Sequence, residues 1–181
     1  MLRLPFETIT DLTAGAEAVR ARRYGVIEVR ESKLAAIHFR PWPKLISKLE
    51  IATVGRYVHR SRVGDCCRLY YNAPWTAPGF LSLVYVISGA QTTWRTFRRS
   101  LDILDQIAEL RQAAAIVTDV TNPQISARNL RRNGWRPHCE HLPGRHYIKR
   151  FYGEYGAVPP VETQPPSGSQ VLASHKTTLS A

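Results

Sequence analysis

The sequence predicts an α/β fold, a single mixed and twisted sheet flanked by helices. Three observations carry that expectation. Leu81 to Ile87 (LSLVYVI) is apolar at every position except Ser82, the pattern of a central strand covered on both faces. Trp94 to Leu110 sets Trp94, Phe97, Leu101, Leu104, Ile107 and Leu110 along one stripe. Arg95, Arg98, Arg99, Asp102, Asp105 and Glu109 take the other side, so this is a long amphipathic helix. Ala114 to Val120 (AAIVTDV) reads as a second buried strand. A strand, a helix of that length and another strand favour a parallel crossover.

The remaining elements follow in chain order. Leu12 to Arg23 is a short helix candidate. Tyr24–Val29 and Leu34–Phe39 are strands joined by the polar turn Arg30–Lys33. Pro41 and Pro43 break the chain, and Lys44–Ile51 has helical spacing. Tyr57–Arg62 and Cys66–Tyr71 are strand candidates either side of Gly64–Asp65. A loop with two prolines, 72–79, precedes the central strand. After the second buried strand, Asn122 is placed to cap a helix with Pro123 at its first position. The helix runs over Ser126–Asn133, with Arg131 and Arg132 in its last turn and Gly134 at the left-handed position beyond it. Trp135–Cys139 and Arg145–Tyr152 then read as strands around Leu142–Arg145. The folded unit is expected over 1–152. From 153 to 181, prolines, serines and threonines crowd in and large apolar residues become sparse, the composition of a disordered tail.

Composition narrows the function classes. The 181 residues are 44% hydrophobic, with no apolar run long enough for a membrane span and no signal-like apolar block at the start. A cytoplasmic protein is the expectation. Three cysteines, Cys66, Cys67 and Cys139, make no disulfide framework, and an adjacent pair on a strand points to opposite faces. The formal charge is +11; Glu154, Glu162 and Lys176 sum to −1 beyond 152, which leaves +12 on residues 1–152. That balance suits anionic partners: nucleic acid, phosphorylated cofactors or acidic surfaces. Arg56, Arg60 and Arg62 alternate along one strand face, either a phosphate-contacting stripe or a solvated one. His138, Cys139, Glu140, His141 and His146 are close in sequence, but alternation on a strand divides them between faces, and no metal site is expected.

The order from Leu81 (strand, long helix, strand, short helix, strand, strand) resembles the C-terminal half of the GNAT acyltransferase fold. Asn122, Ser126, Arg128, Leu130 and the pair Gly134–Trp135 match the family pattern, and HYIKRFYG, His146 to Gly153, looks like its last strand. The resemblance covers about residues 80–152. It implies an acetyl-CoA or other acyl-CoA site between the diverging strands Leu81–Ile87 and Ala114–Val120, and an amine acceptor. The cofactor residues implied are Val86 and Ile87, Gly89, Gln91, Thr92 and Thr93 at the start of the long helix, Arg95 and Arg98 on it, and Asn122 and Ser126. A helix start directs free amides at a pyrophosphate. Asn122 and Ser126 equally serve as local caps.

Two departures from the family pattern stand in the sequence. Ser88-Gly-Ala-Gln-Thr-Thr-Trp94 replaces the glycine-rich phosphate loop, keeping only Gly89. Leu130 occupies the position where many members carry a tyrosine acid, and no glutamate lies on Leu81–Ile87. Aminolysis at neutral pH benefits from a base, because an exposed lysine amine has a pKa of about 10.4. Tyr85 and Asp119 are the titrating candidates. The leading expectation is a divergent acyl-CoA-dependent N-acyltransferase. The alternative is a non-catalytic GNAT-like module that binds nucleic acid or an acidic partner, and a third is a purely structural domain. The oligomeric state is open.

Overall fold

The computed structural model describes residues 7–43, 64–121 and 125–155. The elements are β1 (Thr8–Ile9), α1 (Ala16–Ala21), β2 (Tyr24–Arg30), β3 (Lys33–Arg40), β4 (Cys66–Asn72), β5 (Phe80–Ser88), α2 (Trp94–Leu110), β6 (Ala115–Asp119), α3 (Ala127–Arg132), β7 (Arg136–Pro137) and β8 (His146–Arg150). The strands form one sheet in the order β1-β3-β2-β4-β5-β6-β8-β7. Every neighbouring pair is antiparallel except β5 and β6, which are parallel and joined through α2. The fold class is therefore the one expected: a mixed sheet with helices packed on it. The expected elements at Lys44–Ile51 and Tyr57–Arg62, the arginine stripe, Asn122, Pro123 and the tail beyond Tyr155 lie outside the described residues.

The apolar pattern explains the layering. Val19 of α1, Ile27 and Val29 of β2, Leu69 of β4, Leu81 of β5, Ile103, Leu104 and Ile107 of α2 and Ile116 of β6 belong to one buried cluster between sheet and helices. Ladder register puts the alternate residues on the opposite face, where Val26, Ile87, Ala115 and Ile148 are buried outside that cluster. Cys67 faces the helices and Cys66 the other side; burial, first, pushes the Cys67 thiol up to about 12, while Ser100 Oγ donates to its sulfur at 3.5 Å. The hairpin β2–β3 turns on Glu31 and Ser32, both at positive φ (49° and 64°), the twist a two-residue hairpin needs.

Several expectations change. Trp94 is exposed and packs on Phe97; the stripe is rotated so that Thr96, Ser100 and Ile103 are buried instead. Small hydroxylated residues let α2 approach the β2–β3 turn closely, where the Ser32 amide donates to Thr96 Oγ1 at 2.9 Å. Asp105 is not solvated: its carboxylate accepts from Lys149 Nζ at 2.5 Å and ties α2 to β8. The strand expected over Trp135–Cys139 shrinks to Arg136–Pro137. Trp135 instead closes α3, its amide donating to the Leu130 carbonyl while the Gly134 amide donates to that of Arg131. Gly134 has φ +82°, and Leu130 and Trp135 are both buried in the core, which completes a Schellman ending. The α3 N-cap is Ser126, whose Oγ accepts the Asn129 amide at 3.2 Å, not Asn122. The two-residue β1 was not anticipated, and α1 is shorter than Leu12–Arg23.

Candidate functional site

The one parallel pair creates the site's geometry. The β5–β6 ladder runs from Phe80–Ala115 to Leu83–Thr118, and β5 continues five residues further, to Ser88. At the end of that ladder Thr118 Oγ1 donates to the Leu83 carbonyl at 3.0 Å, a side chain taking over where backbone pairing stops. On the other edge of β5 the register slips: Tyr71 opposes Leu83 but Tyr70 opposes Tyr85, so Val84 is an extra residue. Such a bulge bends its strand and increases local twist. The ladder with β6 ends immediately before it. The twice-covered strand expected at Leu81–Ile87 is for the same reason only half-buried from Val84 to Val86.

Register places Ser82, Tyr85, Val117, Asp119 and His146 on the face away from α2. Tyr85 lies with its ring 6.1 Å from that of Tyr70, and the Arg40 guanidinium is 5.8 Å from the Tyr70 ring centre. A cavity of about 210 Å³ opens beside the end of β6, lined by Ser82, Thr118, Asp119, His138, Cys139 and His146, among others. The Asp119 side chain is 46% exposed. Its Oδ1 accepts the Arg145 amide at 3.3 Å and lies 3.9 Å from His146 Nδ1, beyond hydrogen-bond length. His146 Nε2 is 3.1 Å from the Pro143 carbonyl, an acceptor only, so Nε2 carries the proton there. Asp119 thus presents a partly exposed side chain to the cavity. Gly144 holds the neighbouring turn at φ +127°, and a Cβ there would meet His146 Nε2 at 2.9 Å and Asp119 Oδ1 at 3.3 Å. Gly144→Ala is expected to destabilise the fold by about 1–3 kcal/mol, read from thermal unfolding; an unchanged melting temperature would show the turn relaxes freely.

The segment expected to cradle a pyrophosphate is engaged internally. Gln91 Oε1 accepts the Gly64 amide at 2.7 Å, and Thr92 Oγ1 donates to the Cys66 carbonyl at 2.6 Å. The Thr92 amide donates to the Gly89 carbonyl at 3.1 Å. At the N-terminus of α2, Asp65 accepts from the Thr93 amide (2.8 Å), Thr93 Oγ1 (3.0 Å) and Thr96 Oγ1 (2.6 Å). An internal carboxylate thus sits where the helix end favours an anion. Burial raises the Asp65 carboxyl, but the Thr96 and Thr93 hydrogen bonds outweigh it and hold it below its ordinary value. Arg95 and Arg98 are exposed on the first turns of α2. Val86 packs on the core edge, and Ile87 is buried on the far face. Ser126 is occupied as the α3 cap, and Leu130 is a core residue.

Sequence reasoning missed Asp65, because its partners are 28 and 31 residues away and Gly64–Asp65 reads only as a turn. It also missed the buried Glu28, which accepts from Arg30 Nε at 2.8 Å and pairs with Arg68 at 2.5 Å across β2 and β4. Among the described residues, no group of three or more His, Cys, Asp or Glu side chains is arranged to hold a metal, and no helix is long and apolar enough to cross a membrane.

No protein-family model matches the sequence, and no curated protein matches it. Among solved structures the chain is similar to a nourseothricin acetyltransferase, at 13% identity and a TM-score of 0.40, over 81% of this chain and 99% of that one.

Proposed function

We propose that the chain is a divergent acyl-CoA-dependent N-acyltransferase working at the gap where β5 outruns β6. The single observation carrying this is the end of the parallel ladder at Leu83–Thr118, with the Val84 bulge beside it and Asp119 in the adjoining cavity. A strand edge opened this way lets an extended pantetheine pair with backbone at Val86 and Ile87, as an added strand would. The thioester carbonyl then lies near the bulge. Asp119 takes the proton from the amine as it attacks the carbonyl carbon, and Tyr85, on the same sheet face, is the candidate acid for the departing thiolate. The cofactor phosphates fall toward the Gly89–Thr93 segment, with Arg95 and Arg98 supplying positive charge in place of the close backbone approach that the missing glycines would allow. Acetyl-CoA, or another acyl-CoA, and an amine are the partners of this reading. Calorimetric titration with acetyl-CoA tests it, and absence of heat at millimolar cofactor sinks it.

The Asp65 carboxylate favours a second reading. An anion already seated on the Thr93 amide opposes a pyrophosphate at the same place, as a non-catalytic module binding nucleic acid or an acidic partner would tolerate. Asp65→Asn separates the two. Under the acyltransferase reading, removing one negative charge beside the phosphates tightens acetyl-CoA binding by about tenfold, since a charge contact is worth roughly 1–2 kcal/mol. The same substitution keeps an acceptor for the Thr93 amide but loses the negative charge at the start of α2, which costs about 0.3–1 kcal/mol at neutral pH. That contribution is complete above the ordinary carboxyl value of 3.8 and is lost as pH falls through the lower folded value. Unchanged cofactor affinity in Asp65→Asn, together with duplex DNA binding that weakens with salt, would favour the module.

A further inference from the structure

A second cavity, of about 120 Å³, lies where β5 begins, at the opposite end of that strand from Ser88, roughly 26 Å away at about 3.3 Å per residue. Arg23 and Arg111 line it together with Phe80 and the loop residues Ala73, Pro74 and Gly79. Arg111 uses a single nitrogen, Nη1, to donate to the carbonyls of Val19 (2.6 Å), Arg20 (3.0 Å) and Arg22 (2.7 Å), which ties down the end of α1. Arg23 Nη1 donates to the Ala73 carbonyl at 3.2 Å. Among the described residues no carboxylate pairs with either guanidinium. Burial holds Arg111 below its ordinary value, with Tyr71 opposing this and Arg23 adding like-charge repulsion, so two cations share one small cavity with no carboxylate among the described residues to balance them. At its rim the Arg23 guanidinium stacks 3.3 Å above the Trp75 ring, and Trp75 is 72% exposed. Phe80 is 38% exposed on the same cavity wall.

Guanidinium groups match phosphate oxygens in geometry as well as charge. An exposed aromatic ring offers a nucleobase a stacking surface, and one face of Trp75 is already fixed by Arg23. We propose that this cavity is a nucleotide subsite: the phosphate of a nucleoside phosphate, free or as one unit of a single strand, sits between Arg23 and Arg111, and its base stacks on the outer face of Trp75. An acidic peptide would engage the arginines but gain nothing specific from the ring. The site lies at the other end of β5 from the Gly89–Thr93 segment, about 10 Å along the strand from the start of the β5–β6 gap at about 3.3 Å per residue, and does not depend on the acyltransferase reading.

The full chain is titrated calorimetrically with inorganic phosphate, AMP and a single-stranded oligothymidylate at two salt concentrations. AMP is expected to bind at least about tenfold more tightly than phosphate, the increment a stacked base supplies. Trp75→Ala removes that increment, bringing AMP affinity down to that of phosphate. Arg23→Gln weakens phosphate and AMP alike. An oligonucleotide that binds more tightly than AMP, and less tightly as salt rises, identifies a strand as the source; equal affinities identify the free nucleotide. Trp75 is exposed, so Trp75→Ala is expected to melt with the parent. Arg111 is left intact because it anchors α1. AMP binding no tighter than phosphate, AMP affinity unmoved by Trp75→Ala or by Arg23→Gln, or no heat with AMP and the oligonucleotide would each overturn the proposal.

Discussion

Asp119→Asn is expected to lower acyl transfer by about 10²–10⁴-fold in kcat while leaving acetyl-CoA affinity within about twofold of the parent. The asymmetry follows from placement. Asp119 ends β6 on the cavity wall, partly exposed, with the Arg145 amide on one oxygen and His146 too far for a hydrogen bond. The amide isostere keeps the acceptor for the Arg145 amide through its carbonyl oxygen, so the turn 142–145 stays in place. What disappears is the capacity to take a proton from an attacking amine. The measurement is release of CoA thiol from acetyl-CoA with a panel of primary amines, beside calorimetry for cofactor binding. A variant with the parental rate would remove Asp119 from the mechanism. A parallel loss of cofactor affinity would assign it to positioning.

Glu28→Leu is the substitution with the largest expected cost in stability. The Glu28 side chain is 5% exposed and carries two guanidinium partners, Arg30 at 2.6 Å and Arg68 at 2.5 Å, with His38 Nε2 3.8 Å away. Removing the carboxylate leaves Arg68 only partly solvated and without its counter-charge. Losing one partner of a buried pair costs about 3–5 kcal/mol, but the Arg30 side chain is 63% exposed and regains water, so about 2–4 kcal/mol is expected here. For a chain of this size that is roughly 5–15 °C in Tm. Burial raises the Glu28 carboxyl, yet hydrogen bonds and charge from Arg30 and Arg68 together hold it below its ordinary 4.5. A depressed carboxyl contributes stability that is complete above the unfolded value and lost as pH falls through the folded one. The Tm gap between parent and variant is therefore widest above about pH 4.5 and narrows in acid. A gap independent of pH would mean that packing, not charge, accounts for the loss.

These two sites differ in how far the sequence reveals them. Asp119 can be singled out from the sequence as a titrating residue of the apolar run AAIVTDV, and the structure puts it at the end of β6 on the face away from α2. Tyr85 can be singled out in the same way, as the one titrating residue in LSLVYVI, and register puts it on that same face. Glu28 cannot be: within YGVIEVR it reads as the polar position of an alternating strand, and only the pairing with β4 brings Arg68 beside it. Asp65 hid in the same way. The glycine-poor segment 88–94 looked like a weakened phosphate loop, while the structure shows its polar side chains spent on the start of β4.

Local signals determined most elements of the second half: apolar patterning marked β5, the full span of α2 and β6, and the Gly134 ending marked α3, whose cap the sequence placed at Asn122 and the structure at Ser126, because burial and capping are local properties of a chain. It also determined the mixed α/β class. What the tertiary structure decided were the long-range facts: that β5 and β6 part company after Leu83, that Val84 is bulged, that Asp65 braces the start of α2, and that two arginines and a tryptophan meet at the far end of β5. Each depends on residues tens of positions apart meeting through sheet register, and register is set by the whole sheet, not by any one strand.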